Sequence, residues 1–337
     1  MKRSKRDLFA VSSDYTGLTG LLGLLPTKDL LLVLNYHRIG NPDDSQYDPG
    51  VFSVTSEELD EHVRFVKRRF HIATLAEAIE IVEGRRRSRG TAVLLTFDDG
   101  YLDNYQSAFP ILSSRSVQGV FFLPTSFVGT NRLPWWDVMA WIVRRARKPI
   151  FELKYPGVHR FDVGRDGICR VIEQVLWVYK RAAQDDATHF VDMLEEACGA
   201  SRPDGSERCF LNWDEARIML RGGMAFGAHS HSHEILAPLS SEQQLDELTT
   251  SKRMIEERLG VPVHSMSYPI GLPGSFSMVT REAAEKAQYR VAFSFYGGFN
   301  PYGKTERYDV RRFAVSAPPP RFRLQTTLAA ATGKYWF

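Results

Sequence analysis

Three cysteines, Cys169, Cys198 and Cys209, are scattered through 337 residues at no regular spacing. An odd, unpatterned set excludes a disulfide framework and reads as reduced thiols, which points toward the cytoplasm. Long apolar runs are missing too. The best of them, Leu18 to Leu25, is interrupted by Gly20 and Gly23 and falls far short of the roughly 20 apolar residues that cross a bilayer. The basic start, Lys2, Arg3, Lys5 and Arg6, imitates a signal peptide, but it runs into Asp7, Ser12, Ser13 and Asp14, and no small-residue cleavage site follows. A helix lying on a membrane surface remains open to this segment, so the chain is expected to be cytoplasmic or peripherally membrane-associated.

Charge of one sign is lacking as well. A formal charge of +3 gives no footprint for nucleic acid, and none is expected as a partner. Arg85, Arg86, Arg87 and Arg89, like Arg144, Arg145, Arg147 and Lys148, read as solvated loops or helix ends. No Gly-x-Ser-x-Gly elbow occurs, which removes the serine-hydrolase reading. What remains, 43% apolar and 25% charged residues, is the make-up of an ordinary globular protein.

The pattern that is present alternates strands and helices. Thr91 to Phe97 is short, apolar on both faces and followed by Asp98, Asp99 and Gly100, as in a buried strand of a parallel sheet. Similar runs occur at 29–36, 119–123, 224–228, 264–268, 289–295 and 309–315. Between them, helices are predicted at 56–70, 75–82, 105–113, 213–221, 240–259 and 279–287, several opened by Thr or Ser caps. The rhythm breaks at 131–212, where a hairpin about Pro156-Gly157 and helices near 167–181 and 186–198 read as an insertion. The expected architecture is α/β, a distorted (β/α)7-type barrel, with this α/β insertion. Residues 1–28 read as a basic and apolar tail, 29–317 as the main domain, and 318–337 as a C-terminal tail helix.

Two strand ends carry chemistry. Asp98 and Asp99 sit where a parallel sheet binds ligands, although Asp-Asp-Gly alone also fits a helix cap beside a solvated loop. His229-Ser230-His231-Ser232-His233 follows the strand at 224–228. Two histidines at i and i+4 of one helical turn would reach a single ion, with His231 pointing elsewhere; a plain polar loop is the competing reading. Imidazoles plus a carboxylate form the ligand set of a catalytic zinc-type site.

Thr96–Gly100 (TFDDG), His-Ser-x-x-His at 229–233 and Tyr-Pro-x-Gly at 268–271 together resemble the motifs of the NodB-type polysaccharide deacetylases, carbohydrate esterase family four. The resemblance takes in roughly residues 30–315. It implies a distorted (β/α) barrel, the NodB homology fold, and a divalent metal, zinc first with cobalt or nickel as alternatives. By motif, Asp98 matches the general base, and Asp99, His229 and His233 match the metal ligands. No histidine follows His264, so the usual late general acid is missing. Asn35-Tyr36-His37 instead resembles the permuted branch of poly-N-acetylglucosamine deacetylases, making His37 the implied acid. Ser267 stands where the family's third motif begins with an arginine; Arg312, with Arg311 as competitor, is the expected substitute. The Ile270 N–H matches the oxyanion donor. Tyr268, Trp135 and Trp136 are candidate substrate-binding residues, the tryptophans being equally readable as core and wall.

These assignments imply hydrolysis of an N-acetyl group on an amino-sugar polymer or glycan, with release of acetate. Deacylation of a lipid-linked sugar, peptidoglycan or non-sugar amide is an alternative that the motifs do not separate. A non-catalytic carbohydrate-binding protein on the same fold is the alternative of another class, disfavoured by the intact Asp98, Asp99, His229 and His233.

Overall fold

The computed structural model describes residues 5–155, 157–182 and 187–334. Lys2, Arg3, Pro156 of the expected hairpin turn, position 186 of the expected second insertion helix and the last three residues of the 318–337 segment lie outside that set. The chain forms two compact units, residues 1–40, 53–128 and 210–337 in the first, and 41–52 with 129–209 in the second.

The first unit opens with α1 (Lys5–Tyr15) and α2 (Leu18–Leu22), then β1 (Leu30–Tyr36) and the short strands β2 (Arg38–Ile39) and β3 (Phe52–Val54). It continues through α3 (Ser56–Arg69), β4 (His71–Ile72), α4 (Leu75–Val82), β5 (Thr91–Phe97), α5 (Phe109–Ser114) and β6 (Gly119–Leu123). The second unit supplies α6 (Trp135–Arg144), β7 (Ile150–Leu153), β8 (His159–Asp162), α7 (Val163–Asp166), α8 (Ile168–Ala182) and α9 (Ala187–Cys198). The first then resumes with α10 (Trp213–Arg221), β9 (Ala225–Ala228), α11 (Ser241–Leu259), β10 (Ser265–Ser267), α12 (Met278–Lys286), β11 (Val291–Phe293), β12 (Asn300–Pro301), β13 (Arg312–Ala314) and α13 (Pro319–Thr332).

In the first unit a nine-stranded sheet runs β11-β10-β9-β6-β5-β1-β12, with β13 added to β1 and β4 to β5. All its pairings are parallel except that of β12. A parallel bridge between Phe293 and Val310 links β11 toward β13, so the sheet curls into a nearly closed barrel with helices outside. Every residue of β1 and β5 is buried, as a strand covered on both faces requires. Capping boxes start the helices as expected: Thr55 with Glu58, Thr74 with Glu77, and Ser240 with Gln243.

The segment read as an N-terminal tail is helical from Lys5 onward. Asp7 and Asp14, one face of α1, pair with Arg321 and Arg323 of α13, a long-range contact that local pattern cannot announce. The second unit buries its own core, including Trp136, Phe151, Phe161, Val175 and Leu194. Besides most of the expected insertion it includes 41–52, which the sequence reading left in a loop. No helix among the described residues is long and apolar enough to cross a membrane, and the three cysteines are free.

Candidate active site

Adjacent parallel strands deliver the site's residues to one end of the barrel. In the β1–β5 register Asn35 faces Thr96 and Tyr36 faces Phe97, and the Asp98 N–H donates to the Tyr36 carbonyl at 2.9 Å. The ladder therefore continues to Asp98 and stops at Asp99, whose φ is +72°, followed by Gly100 at +68°. Two successive left-handed residues turn the chain out of the sheet. A Cβ on Gly100 would stand 2.6 Å from the Leu123 side chain, so glycine there serves both the turn and the close approach.

Asp98 is only 2% exposed, and an ionised carboxylate so placed needs compensation. Arg312, 0% exposed on β13, supplies it with a two-pronged contact: Nη1 to Oδ1 and Nη2 to Oδ2, both 2.8 Å. The same guanidinium donates to Asn35 Oδ1 at 2.7 Å and, through Nε, to the Ser294 carbonyl at 3.0 Å. Asn35 Nδ2 in turn donates to Asp98 Oδ2 at 3.1 Å, and Ser267 Oγ donates to Oδ1 at 3.3 Å. Burial pushes the Asp98 carboxyl up, but the Arg312 charge and hydrogen bonds, with His229, leave it below the ordinary carboxylate range. Arg311, the competitor, is exposed and lies over the Tyr296 ring. The guanidinium beside Asp98 thus comes from the last barrel strand, and Ser267, in the arginine's customary place, bridges Asp98 and His229 instead.

Asp99 turns to the histidines. Its Oδ1 lies 3.5 Å from His229 Nε2 and 3.3 Å from His233 Nε2, and these three groups offer ligand atoms all within 4.8 Å of one another. Two ligands bound about 2.1 Å from a tetrahedral cation stand about 3.4 Å apart, so the spacing fits a divalent ion. Asp99 Oδ1 is buried with no hydrogen-bond partner among the described residues, a cost that a cation would relieve. His229 Nδ1 is engaged by the Ser267 carbonyl at 2.9 Å and hydroxyl at 2.7 Å, which leaves Nε2 as its free ligand atom. Burial opposes the ionised Asp99 carboxyl, yet the imidazoles of His229 and His233 beside it hold it well below the usual range.

The histidines do not reach this arrangement from a helical turn. Residues 229–233 form a loop with Ser230 at φ +57° and His233 at +60°; the helical i, i+4 expectation is corrected here. The loop is pinned by Glu247 of α11, whose carboxylate accepts the N–H groups of His231 and Ser232, both at 2.8 Å, and the Ser232 hydroxyl at 2.7 Å. His231 points away, its Nδ1 2.9 Å from Thr125 Oγ1. The rings of His229 and His233 meet nearly edge to face, 4.7 Å apart.

His37, just past β1, places Nε2 3.9 Å from Asp98 Oδ2. Its N–H donates to Ser53 Oγ, its carbonyl accepts from Asn104 Nδ2, and its ring stands edge-on to Phe295 at 5.3 Å. Ile270 holds φ +64° just after β10, and its N–H has no acceptor among the described residues. A strained, unpaired donor is what an oxyanion site uses. A Cβ on the next residue, Gly271, would lie 2.8 Å from the Phe295 backbone nitrogen, which keeps this turn tight against the neighbouring strand.

Of the three candidate substrate residues, one belongs to the first unit and two to the second. Tyr268 is 1% exposed, stacked 4.2 Å from Phe276 with its hydroxyl on the Tyr308 carbonyl. It is core, because its strand-end side chain points outward to the helical layer. Trp136 is 4% exposed in the second unit's core, and Trp135 packs on Trp136 and Tyr179; a small unit needs such bulk for its own interior. Asn35 was missed by sequence reasoning. The only signal was one amide in an otherwise apolar buried strand, meaningful once Arg312 and Asp98 are seen on either side of it.

Residues 85–292 match the family model described as polysaccharide deacetylase. That span includes Asp98, Asp99, His229 and His233 but neither His37 nor Arg312. YxkH of Bacillus subtilis (strain 168), named provisionally as a polysaccharide deacetylase, is 28% identical over 100 residues, or 29% of this chain. The matched segment spans 33% of that curated relative's length. Among solved structures, IcaB from Ammonifex degensii matches with a TM-score of 0.59 at 19% identity, covering 91% of this chain and 99% of that one. The Streptococcus pyogenes deacetylase PplD matches at 0.58 and 15%, covering 90% and 99%. The BpsB deacetylase domain from Bordetella bronchiseptica matches at 0.52 and 17%, covering 86% and 97%. With the barrel and the acidic and histidine motifs in place, the family match over most of its length makes this chain a member of the NodB-type polysaccharide deacetylase family.

Proposed function

We propose that the protein is a metal-dependent hydrolase that removes N-acetyl groups from amino-sugar residues of a polysaccharide or glycan, releasing acetate. The observation that carries this reading is the buried Asp99–His229–His233 cluster directly beside an ionised, arginine-held Asp98. Asp99, His229 and His233 would hold a divalent cation, zinc by donor type. Such a cation supplies Lewis-acid polarisation of the amide and a more acidic water.

The chain's own residues divide the remaining work. Asp98 is the general base: its low proton affinity keeps it ionised and ready to accept a proton. Arg312, Asn35 and Ser267 hold that carboxylate in one orientation. The Ile270 N–H donates to the developing oxyanion. His37, whose Nε2 lies 3.9 Å from Asp98 Oδ2, delivers a proton to the sugar nitrogen, without which the amine is a poor leaving group. No residue need form an acyl intermediate.

The test is acetate release from N-acetylglucosamine oligomers or polymer by purified protein loaded with zinc or cobalt. Activity that depends on added metal and disappears in Asp98→Asn is expected. A metal-free preparation with undiminished activity would overturn the reading.

A further inference from the structure

Among the described residues, half of the large apolar side chains that stand exposed lie between Leu8 and Leu25: Leu8, Phe9, Val11, Tyr15, Leu18, Leu21, Leu24 and Leu25. Leu21 is 64% and Leu24 79% exposed. Leu8, Val11 and Tyr15 recur at the helical period on the face of α1 that is turned from the protein, while Ala10 and Ser13 are buried on the other. An exposed apolar surface this concentrated on a folded element marks a docking site.

Charge decides what docks. The acidic residues of α1, Asp7 and Asp14, are turned inward and neutralised by Arg321 and Arg323 of α13. Lys5 and Arg6 stand exposed at the start of the apolar face. Arg69 of α3 lies beside Gly23, and Lys28 lies beside Gly333, with Lys334 exposed next to it. Lys5 and Arg6 at its start and Arg69 beside Gly23 therefore flank the apolar face, with its own carboxylates consumed on the inner side.

We propose that the outer face of α1 and α2 binds the surface of an anionic phospholipid bilayer, with the leucines and Phe9 entering the acyl boundary and the lysines and arginines meeting the headgroups. α2 leads into the N-terminal end of β1, whereas Asp98 and His37 lie past the carboxyl ends of β5 and β1. Binding there leaves the site end of the barrel uncovered.

The experiment is co-sedimentation of the full chain with vesicles of phosphatidylcholine alone or mixed with phosphatidylglycerol, at low and high salt. Binding to the mixed vesicles is expected, weakening about tenfold in high salt or without the anionic lipid. Leu21→Glu with Leu24→Glu, and separately Lys5→Glu with Arg6→Glu, should each lower partitioning about tenfold while circular dichroism and the melting temperature stay unchanged. Sedimentation that ignores lipid charge, or apolar variants that bind undiminished, would overturn the proposal. So would a dimer, seen by light scattering, that the Leu21→Glu, Leu24→Glu variant dissolves. Deacetylation is not a readout, so the outcome is separate from that of the catalytic reading.

Discussion

Asp98 and Asp99 are neighbours in sequence, yet the two halves of the site they open are built differently. On the Asp98 side the partners are strand-borne: Asn35 on β1, Ser267 on β10 and Arg312 on β13, locked by barrel register and a buried two-pronged ion pair. On the Asp99 side the groups come from turns, with Asp99, Ser230 and His233 all at positive φ and the loop pinned by Glu247. A base must keep one orientation and one charge state, which rigid strands and a fixed guanidinium provide. Ligands must converge on a point from several directions, which strained turns do better.

The largest expected contrast comes from breaking one side at a time. Asp98→Asn should cut turnover about a thousandfold while elemental analysis still finds one bound metal per chain. His233→Ala should abolish turnover together with stoichiometric metal. Equal loss of metal in both variants would erase the division drawn here. Next, Arg312→Ala should destabilise the fold by about 3–5 kcal/mol in urea titration, because it strands a buried carboxylate. Arg312→Lys should recover part of the stability but little of the activity, since an ammonium lacks the paired geometry.

A pH titration tests the packing of α3 on β1, away from both halves of the site. His62, bonded to the Tyr36 hydroxyl, has its pKa lowered from 6.5 to about 3, chiefly by burial and then by Arg323. The unfolded chain therefore takes up a proton below pH 6.5 that the folded chain refuses until about pH 3. Stability from this residue is intact above pH 6.5 and falls as the medium is acidified, by about 1.4 kcal/mol per pH unit at most. Urea midpoints between pH 7 and 4.5 should show the slope, and His62→Gln should flatten it. The smallest effect is expected from Glu247→Gln: metal affinity about tenfold weaker by competitive chelation, with urea stability nearly unchanged.

Much of the barrel was legible. All seven strand runs appear at or within a few residues of their expected places, because a strand buried on both faces has a dense apolar signature. The very short β4 and β12 escaped for want of length. Asp98, Asp99, His229 and His233 stood out because carboxylates and imidazoles directly after apolar strands are chemically conspicuous. Tyr268 misled because an aromatic looks the same in a sequence whether it faces a sugar or a core.

Residue type and period determined by themselves the strand succession, the helix caps and the inventory of acid, base and ligand side chains, since each depends on interactions within a few positions along the chain. Tertiary structure alone decided that Arg312 rather than Arg311 meets Asp98, and that Asn35 and Ser267 complete its shell. It also decided that the histidine pair converges from a left-handed loop. The Asp98 partners depend on which strands become neighbours across 63 to 214 positions, a matter of register and barrel closure that no local pattern encodes.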